Sequence, residues 1–160
     1  MAKDLHIVGF RIGPESFGVP ISLVHEIVRV PDITSVPDAP EYVEGVINLR
    51  GRIIPVVDLR KRFKEPKITT NRKNRIIVVE VERKMVGLIV DTASEVLKVP
   101  EADVEVPPKL FEEGEVNYVT GVGKYRGRLV VLIDLTRVLQ KGELRRLTEF
   151  LEAQTAAATA

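Results

Sequence analysis

The sequence predicts a mainly β protein built as two small barrels, and an internal repeat is the first observation behind this prediction. Residues 45–59 (GVINLRGRIIPVVDL) return at residues 121–135 (GVGKYRGRLVVLIDL) at a constant offset (121 − 45 = 76). Earlier in each copy, residues 17–31 are similar to residues 86–100 at a slightly smaller offset (86 − 17 = 69). A unit of roughly 70 residues is too long for a solenoid repeat and suits a small barrel.

Ten short apolar runs, five in each repeat, are the second observation. They are rich in β-branched residues and bounded by Gly, Pro and Asp, which is typical of strands separated by turns. Arg50-Gly51 and Arg126-Gly127 predict tight hairpin turns, because Gly accepts a positive φ at no steric cost. Five short strands protect their edges best by closing into a barrel. The predicted strands cover residues 5–12, 17–21, 24–30, 45–49, 52–57, 75–81, 85–90, 95–99, 119–123 and 128–133.

Three stretches outside the strands are candidates for helices or turns. Residues 38–44 could form a single helical turn that enters the strand at Gly45, with Pro40 near the first helical position. Asp58 to Lys67 predicts a short basic helix or a turn after the first copy of the repeat. Asp134 is a candidate N-cap for a helix that continues to about Gln154, because apolar residues recur on one face of that stretch. The two aspartates occupy equivalent places in the repeat, so each is expected to end a strand and begin a turn rather than to act as a catalytic carboxylate.

The repeat also predicts how the chain is divided. We expect one folded unit made of two barrels, in which the N-terminal strand crosses to the second barrel and ties the two together. The C-terminal helix follows, and the last residues carry nothing to bury and are expected to be disordered. The expected ranges are 1–153 for the folded unit, 5–12 for the crossing strand, 13–66 for the first barrel, 67–140 for the second, 141–154 for the helix and 155–160 for the tail.

Composition excludes several functional classes. The chain has 160 residues, a net charge of +1 and no cysteine, so thiol catalysis and thiolate metal sites are excluded. The charge is too balanced for an obvious nucleic-acid footprint, and aromatic residues make up only 5% of the chain. No apolar run approaches the roughly 20 residues that a membrane-spanning helix needs. The absence of cysteine fits a reducing cytoplasm.

No group of residues in the sequence indicates catalysis. Gly121-Val-Gly-Lys-Tyr-Arg-Gly127 resembles a phosphate-binding loop only superficially, because a strand rather than a helix follows it. His6 and His25 are the only imidazoles, and no acidic residues cluster with them in the sequence. We therefore expect no catalytic residue, no metal ligand and no cofactor, and we do not expect an enzyme.

Charged residues at matched positions of the repeat suggest two ion pairs. Each copy carries one Glu in its second-strand region and one Arg at its hairpin, which predicts the pairs Glu26–Arg50 and Glu95–Arg126. Bidentate Arg–carboxylate geometry would fix a hairpin that a small barrel holds weakly. Arg50 could instead contact a partner, and the sequence leaves both roles open. The basic run at residues 60–64 is either a solvated face or a contact with an acidic partner.

These segments resemble the CheW family, the adaptor proteins of bacterial chemotaxis. The order and spacing of Gly-Val-Ile-Asn-Leu-Arg-Gly followed by Pro-Val-Val-Asp-Leu are the most specific part, and the resemblance covers roughly residues 5 to 140. The matching segments are Phe17-Gly-Val19, Val24-His-Glu-Ile27, the stretch from Tyr42 to Arg60, and Val86-Gly-Leu-Ile-Val-Asp91.

The resemblance implies a fold, a function and partners. It implies two packed five-stranded SH3-like β-barrels and a non-enzymatic scaffold that couples methyl-accepting chemoreceptors to the histidine kinase CheA. The partners would be the regulatory domain of CheA and the cytoplasmic tips of the receptors, with no nucleic acid and no direct membrane insertion. The resemblance also implies a cytoplasmic protein that is recruited with its partners into higher-order receptor arrays at the membrane. The free protein is expected to be a monomer, because barrel closure hides most strand edges.

The resemblance also implies site residues. A receptor helix tip would lie in an apolar groove between the barrels, which is an established mode of helix recognition. The residues expected to line that groove are Val24, Ile27, Val86 and Leu88. The residues that match the family signature and are candidates for an interface are Glu26, Gly45, Asn48, Arg50 and Gly51.

Two other functions stay open from the sequence. One is a CheW-like adaptor that serves a receptor–kinase system outside chemotaxis. The other is a nucleic-acid-binding double barrel, because small barrels often carry such sites. Salt-sensitive binding to mixed RNA or DNA would favour the second of these functions.

Overall fold

The computed structural model describes residues 3–39, 41–106 and 118–139, and within them the side chains of Ser94 and Glu95 are left out. All ten predicted strands are confirmed. The strands are β1 Asp4–Ile12, β2 Glu15–Pro20, β3 Val24–Arg29, β4 Val43–Leu49, β5 Arg52–Asp58, β6 Arg75–Val81, β7 Lys84–Val90, β8 Thr92–Pro100, β9 Val119–Tyr125 and β10 Arg128–Ile133.

Two short helices follow the strands that end each copy of the repeat. Helix α1 spans Leu59–Arg62 and helix α2 spans Leu135–Val138. Asp58 and Asp134 are their N-caps, and each carboxylate accepts a hydrogen bond from the backbone N–H two residues later. The expected turn-forming role of both aspartates is therefore confirmed. The predicted helix at 141–154 and the tail at 155–160 lie outside the described residues.

The strands form two five-stranded sheets, with the orders β3-β6-β7-β5-β4 and β8-β1-β2-β10-β9. We call the barrel formed by the first sheet barrel I and the barrel formed by the second sheet barrel II. The N-terminal strand β1 pairs with both β2 and β8, so it belongs to barrel II. In each barrel a parallel pair joins strands from different copies of the repeat, β5 with β7 and β2 with β10.

The sheets do not follow the predicted division into residues 13–66 and 67–140. Strands β3 to β7 form barrel I, while β1 and β2 join β8, β9 and β10 in barrel II. The two copies follow one another in the chain, but they exchange hairpins in the fold. Barrel I takes the β6–β7 hairpin from the second copy, and barrel II takes the β1–β2 hairpin from the first copy. This exchange explains the difference, because sequence similarity locates the copies without revealing which strands pair.

Three apolar clusters fill the two barrels and the seam between them. The largest cluster contains buried residues from both sheets, among them Phe10, Val19, Val79 and Leu88, so it forms the seam. A second cluster fills the interior of barrel I and a third fills the interior of barrel II. Along β7, side chains alternate between the seam and the interior of barrel I, as the two-residue period of a strand requires. Both faces of this central strand are therefore buried.

A row of aromatic rings ties the seam together. The rings of Phe10 and Phe17 are stacked with centroids 5.8 Å apart, and Phe63 lies 5.2 Å from Phe17. Phe63 also stacks on Tyr118 at 5.0 Å. Phe63 follows α1, whereas the other three rings come from barrel II or the segment leading into it. Aromatic pairs of this kind stabilise a core beyond what their buried area alone contributes.

A buried charged network closes the end of barrel I near α1. Arg60 is only 4% exposed, and its guanidinium donates to both carboxylate oxygens of Asp58 at 3.0 Å and to Asp91 at 3.2 Å. Asp91 also accepts a hydrogen bond of 2.7 Å from the backbone N–H of Gly13, in the β1–β2 turn of barrel II. The network therefore links the two barrels, and each buried charge in it has a partner.

Candidate partner-binding surfaces

The predicted pair between Glu26 and Arg50 is confirmed. The two terminal nitrogens of Arg50 donate to the two carboxylate oxygens of Glu26 at 2.8 and 2.7 Å, which is the bidentate geometry. Glu26 lies on β3 and Arg50 lies in the β4–β5 turn, and β3 and β4 are the two edges of the sheet. The ion pair therefore spans the gap at the mouth of barrel I, where the two edge strands are not hydrogen-bonded to each other.

Each member of this pair stabilises the charged form of the other. The hydrogen bonds from Arg50 lower the pKa of Glu26 below its ordinary value of 4.5, against a smaller opposing effect of burial. The Glu26 carboxylate raises the pKa of Arg50 in turn. The Arg50 side chain is still 74% exposed, so it can hold Glu26 and present its outer surface to a partner at the same time. The structural and contact roles left open by the sequence are compatible.

The other signature residues shape the turn and its approach. Arg50 and Gly51 both have positive φ, at 52° and 86°, as a two-residue hairpin turn of the I′ type requires. Asn48 accepts a hydrogen bond of 2.9 Å from the backbone N–H of Gly51. Gly45 has φ +143°, and a Cβ there would lie 1.9 Å from the carbonyl oxygen of Thr34. Three of the signature residues therefore serve the backbone of barrel I.

The four residues expected to line a groove share one face of the sheet in barrel I. Across the sheet, Val79 is paired with Val24 on one side and Val86 on the other, while Ile77 is paired with Ile27 and Leu88. Directly opposed residues in a sheet project to the same face. A bulge between Val24 and Glu26 keeps Val24 and Ile27 on this face although they are three residues apart.

Only the edge of that face is open. Val86 and Leu88 are 2% and 0% exposed and belong to the seam cluster, so they cannot line an open groove in this structure. The reason is that β7 lies at the centre of its sheet, where barrel II covers it. On the edge strand β3, Ile27 is 39% exposed and Val24 is half-buried against the seam. The accessible part of the predicted groove is therefore β3.

Exposed apolar residues recur at equivalent places on the two barrels. Val96 on β8 matches Ile27 on β3 (96 − 27 = 69), and both are exposed. Leu129 on β10 matches Ile53 on β5 (129 − 53 = 76), and they are 64% and 52% exposed. Ile53 and Leu129 were not among the predicted site residues, although each follows an Arg-Gly-Arg directly in the sequence. Their exposure could not be read from a pattern that equally fits a buried strand.

The mouth of barrel II differs from that of barrel I. Arg126 has φ 49° and Gly127 has φ 79°, so the turn is built like the turn of barrel I. The guanidinium of Arg126 lies over the ring of Tyr125, 5.2 Å from its centroid. The predicted pair between Glu95 and Arg126 stays a prediction, because the Glu95 side chain lies outside the described residues.

The basic run at residues 60–64 is largely engaged within the molecule. Arg60 is buried in its network, and Lys61 pairs with Glu44, which raises the pKa of Lys61. Arg62 lies over the ring of Tyr42 and donates to the backbone carbonyl of Val138 at 3.2 Å. Neither a solvated face nor an acidic partner is needed to explain these three residues.

The described part of the chain offers neither a metal site nor a membrane-spanning helix. Within the described ranges, no group of three or more His, Cys, Asp or Glu side chains is placed to hold a metal ion. No helix in the same part of the chain is long and apolar enough to cross a membrane. The surface of the two barrels carries exposed apolar side chains at the edge of the seam and on the hairpins, beside the charged turns.

These features define the class as a double-barrel protein-binding module. The CheW-like domain model matches residues 6–143, and the chain belongs to the CheW family. It is 36% identical over 137 residues to "Chemotaxis protein CheW" of Rhizobium meliloti (86% of this chain and 88% of that protein). It is 32% identical over 149 residues to the protein of the same name from Treponema pallidum (91% and 88%).

A solved structure shares the fold. The scaffolding protein TtCheW from Thermoanaerobacter tengcongensis superposes with a TM-score of 0.79 at 38% identity, covering 89% of this chain and 96% of that one. The expected fold class, two packed five-stranded SH3-like barrels, is confirmed by this similarity and by the two sheets. Membership in a family of scaffolding proteins places the chain among adaptors rather than enzymes.

Proposed function

We propose that this protein is a non-enzymatic chemotaxis adaptor that couples the cytoplasmic tips of methyl-accepting chemoreceptors to the regulatory domain of the histidine kinase CheA. The observation that carries the proposal is the presence of two separate exposed features on barrel I of a CheW-family chain. One is the seam edge at Ile27, and the other is the mouth held by Glu26 and Arg50. An adaptor needs at least two such surfaces, because it must bind two partners at once.

The receptor tip is assigned to the open edge of the seam face. Ile27 and Val24 offer an apolar strip on β3, next to the buried seam, that fits the apolar stripe of an amphipathic helix. Val86 and Leu88 lie on the same face two strands away, where they are buried in the seam and do not touch the partner.

The kinase domain is assigned to the mouth of barrel I. Arg50 projects from a rigid turn that Asn48 and Gly51 fix, and its exposed guanidinium suits a carboxylate or carbonyl on a protein partner. Glu26 keeps that guanidinium oriented, which reduces the side-chain entropy lost on binding. Gly45 contributes by letting the Thr34 segment close the neighbouring edge.

Regulation would follow from differential binding. A receptor state can change the kinase only to the extent that the adaptor binds the two kinase states with different affinity. The adaptor would act in the cytoplasm as a monomer until it joins receptor arrays, and it would need no cofactor and no nucleic acid.

Binding measurements with the two partners test the proposal. Titration of the purified protein with the CheA regulatory domain and with a receptor cytoplasmic fragment from the same genome should show saturable binding to both. Ile27→Glu should weaken binding of the receptor fragment by roughly tenfold or more, the size of a hot-spot contact. Val96→Glu, the equivalent change on barrel II, is the matched control and should have little effect.

A second pair of variants addresses the kinase surface. Arg50→Ala should weaken binding of the CheA domain, while Arg126→Ala at the equivalent turn should not. Melting temperatures recorded for all four variants separate a lost contact from a lost fold. If the wild-type protein binds neither partner at micromolar concentration, the proposal is wrong. Salt-sensitive binding to mixed RNA would then point to the nucleic-acid alternative.

A further inference from the structure

Barrel II contains an open cavity at a place where side chains pack into the interior of barrel I. The cavity has a volume of about 560 Å³ and lies at the mouth of barrel II, beside the β1–β2 and β9–β10 turns. Volumes of roughly 300–1,000 Å³ are typical of small-molecule sites. The corresponding strands of the two barrels come from different copies of the repeat. Barrel I therefore shows which side chains fill the positions that are equivalent to the cavity wall.

Smaller residues open the cavity wall. Gly9 lines the cavity at the position that Val78 occupies in barrel I (78 − 9 = 69), and Val78 is fully buried in the interior cluster there. The register supports the match, because Gly9 pairs with Gly18 and Val78 pairs with Gly87 at the same offset.

A second position shows the same change. Ser16 lines the cavity where barrel I has Met85 (85 − 16 = 69), which packs against the interior cluster. Two side chains that fill barrel I are therefore missing from barrel II.

The rim of the cavity is also different. Arg11, Arg126 and Arg128 all line it and all are exposed, and no carboxylate is found among the described residues of the wall. Barrel I has Glu80 at the position of Arg11, so the rim of barrel II replaces an acidic residue with a basic one. The guanidinium of Arg126 lies over the ring of Tyr125, 5.2 Å from its centroid.

The lower part of the wall is apolar. Leu97, Val130 and Tyr125 line the cavity and belong to or pack against the interior cluster of barrel II. An apolar floor beneath a rim of guanidinium groups is complementary to a molecule with one anionic group and an apolar body. Arginine binds carboxylate, phosphate or sulfonate oxygens through paired N–H donors, and such bonds are stronger than neutral ones.

We propose that the mouth of barrel II is a binding site for a small amphiphilic organic anion, such as a medium-chain or aryl carboxylate. The anionic group is bound by Arg11 and Arg128 at the rim, and the apolar body enters the space left by Gly9 and Ser16. This site is independent of the adaptor surfaces on barrel I, and its loss would leave the proposed adaptor function to be judged separately.

A fluorescent probe of matching chemistry tests the site. The probe is 8-anilinonaphthalene-1-sulfonate, an aryl sulfonate whose emission rises in an apolar environment, and it should bind the folded protein saturably at one site. Octanoate should displace it, whereas octanol, which has the same chain without the charge, should displace it at least about tenfold less well, the worth of a charge-assisted bond. Equal displacement by octanol would overturn the assignment of an anion.

Variants that copy barrel I make the test specific. Gly9→Val and Ser16→Met should each abolish saturable probe binding, because they restore the side chains that fill barrel I. Arg128→Gln should weaken binding about tenfold, while the matched change Arg52→Gln on barrel I should not alter it. Retention of wild-type binding by both filling variants, with unchanged melting temperatures, would refute the proposal. So would equal effects of the two arginine variants.

Discussion

Replacement of Gly45 by alanine is the sharpest test of how barrel I is closed. Gly45 lies at a bulge of β4 with φ +143°, a region that is essentially restricted to glycine. The added Cβ would lie 1.9 Å from the carbonyl oxygen of Thr34, which is backbone and cannot rotate away. Thr34 exchanges two backbone hydrogen bonds with Val46, of 2.9 and 2.8 Å, so the substitution must push this segment off the edge of β4.

The magnitude follows from these two effects. A non-glycine residue in this backbone region costs about 1–3 kcal/mol, and losing two backbone hydrogen bonds costs about 1–3 kcal/mol more. The expected loss of unfolding free energy for Gly45→Ala is therefore about 2–6 kcal/mol. For a domain of this size each kcal/mol lowers the melting temperature by about 2–4 °C. Urea denaturation followed by circular dichroism measures the free energy directly.

Gly51→Ala is the matched control for this experiment. Gly51 also has a positive φ, but nothing lies within 4 Å of a Cβ added there. Its substitution should cost only the backbone strain, about 1–2 kcal/mol. If Gly45→Ala destabilises the protein no more than Gly51→Ala does, the close approach of Thr34 does not control the closure of barrel I.

Three further predictions concern buried and exposed charges and the seam. Arg60→Met should lower the unfolding free energy by about 3–5 kcal/mol in urea, because Asp58 is left buried and unpaired, and adding Asp58→Asn should recover part of the loss. Leu88→Ala should cost about 2–5 kcal/mol in the same assay, and a folded, fully stable variant would show that the seam is not packed there. Arg50→Ala should cause a small loss of stability at neutral pH. That loss should disappear as the pH falls below 4.5 through the lowered pKa of Glu26, because a protonated Glu26 carries no charge to pair with Arg50. A loss of stability that persists in acid would contradict the stabilising role of this ion pair.

The strands and turns could be predicted because their signals are local. β-branched runs locate all ten strands, and the repeated Arg-Gly locates two turns whose residues have positive φ. The pairing of strands could not be predicted in the same way. The parallel pair of β2 with β10 joins Phe17 to Val131, and no local pattern records such a distant contact. Sequence similarity therefore identified two copies but assigned β2 and the β6–β7 hairpin to the wrong barrels, whereas the expected crossing of β1 agrees with its place in barrel II.

The candidate site was predictable in part for related reasons. The Glu26–Arg50 pair could be predicted because two charges recur at matched positions of the repeat. From the sequence alone, Val86 and Leu88 fit an exposed apolar groove as well as they fit a core, since a central strand is apolar on both faces. Their burial depends on barrel II covering that face, which is a property of the assembled fold.

The edge strand β3 carries both surfaces assigned to partners. The bulge between Val24 and Glu26 turns the strand so that Ile27 faces the seam side while its neighbour Glu26 faces the mouth and binds Arg50. Adjacent residues of one strand therefore serve opposite faces, and a partner that displaces β3 at the seam must also move one end of the ion pair. A strand hydrogen-bonded on one side only, to β6, is easier to displace than a central one. The shared backbone of β3 therefore joins the two surfaces physically.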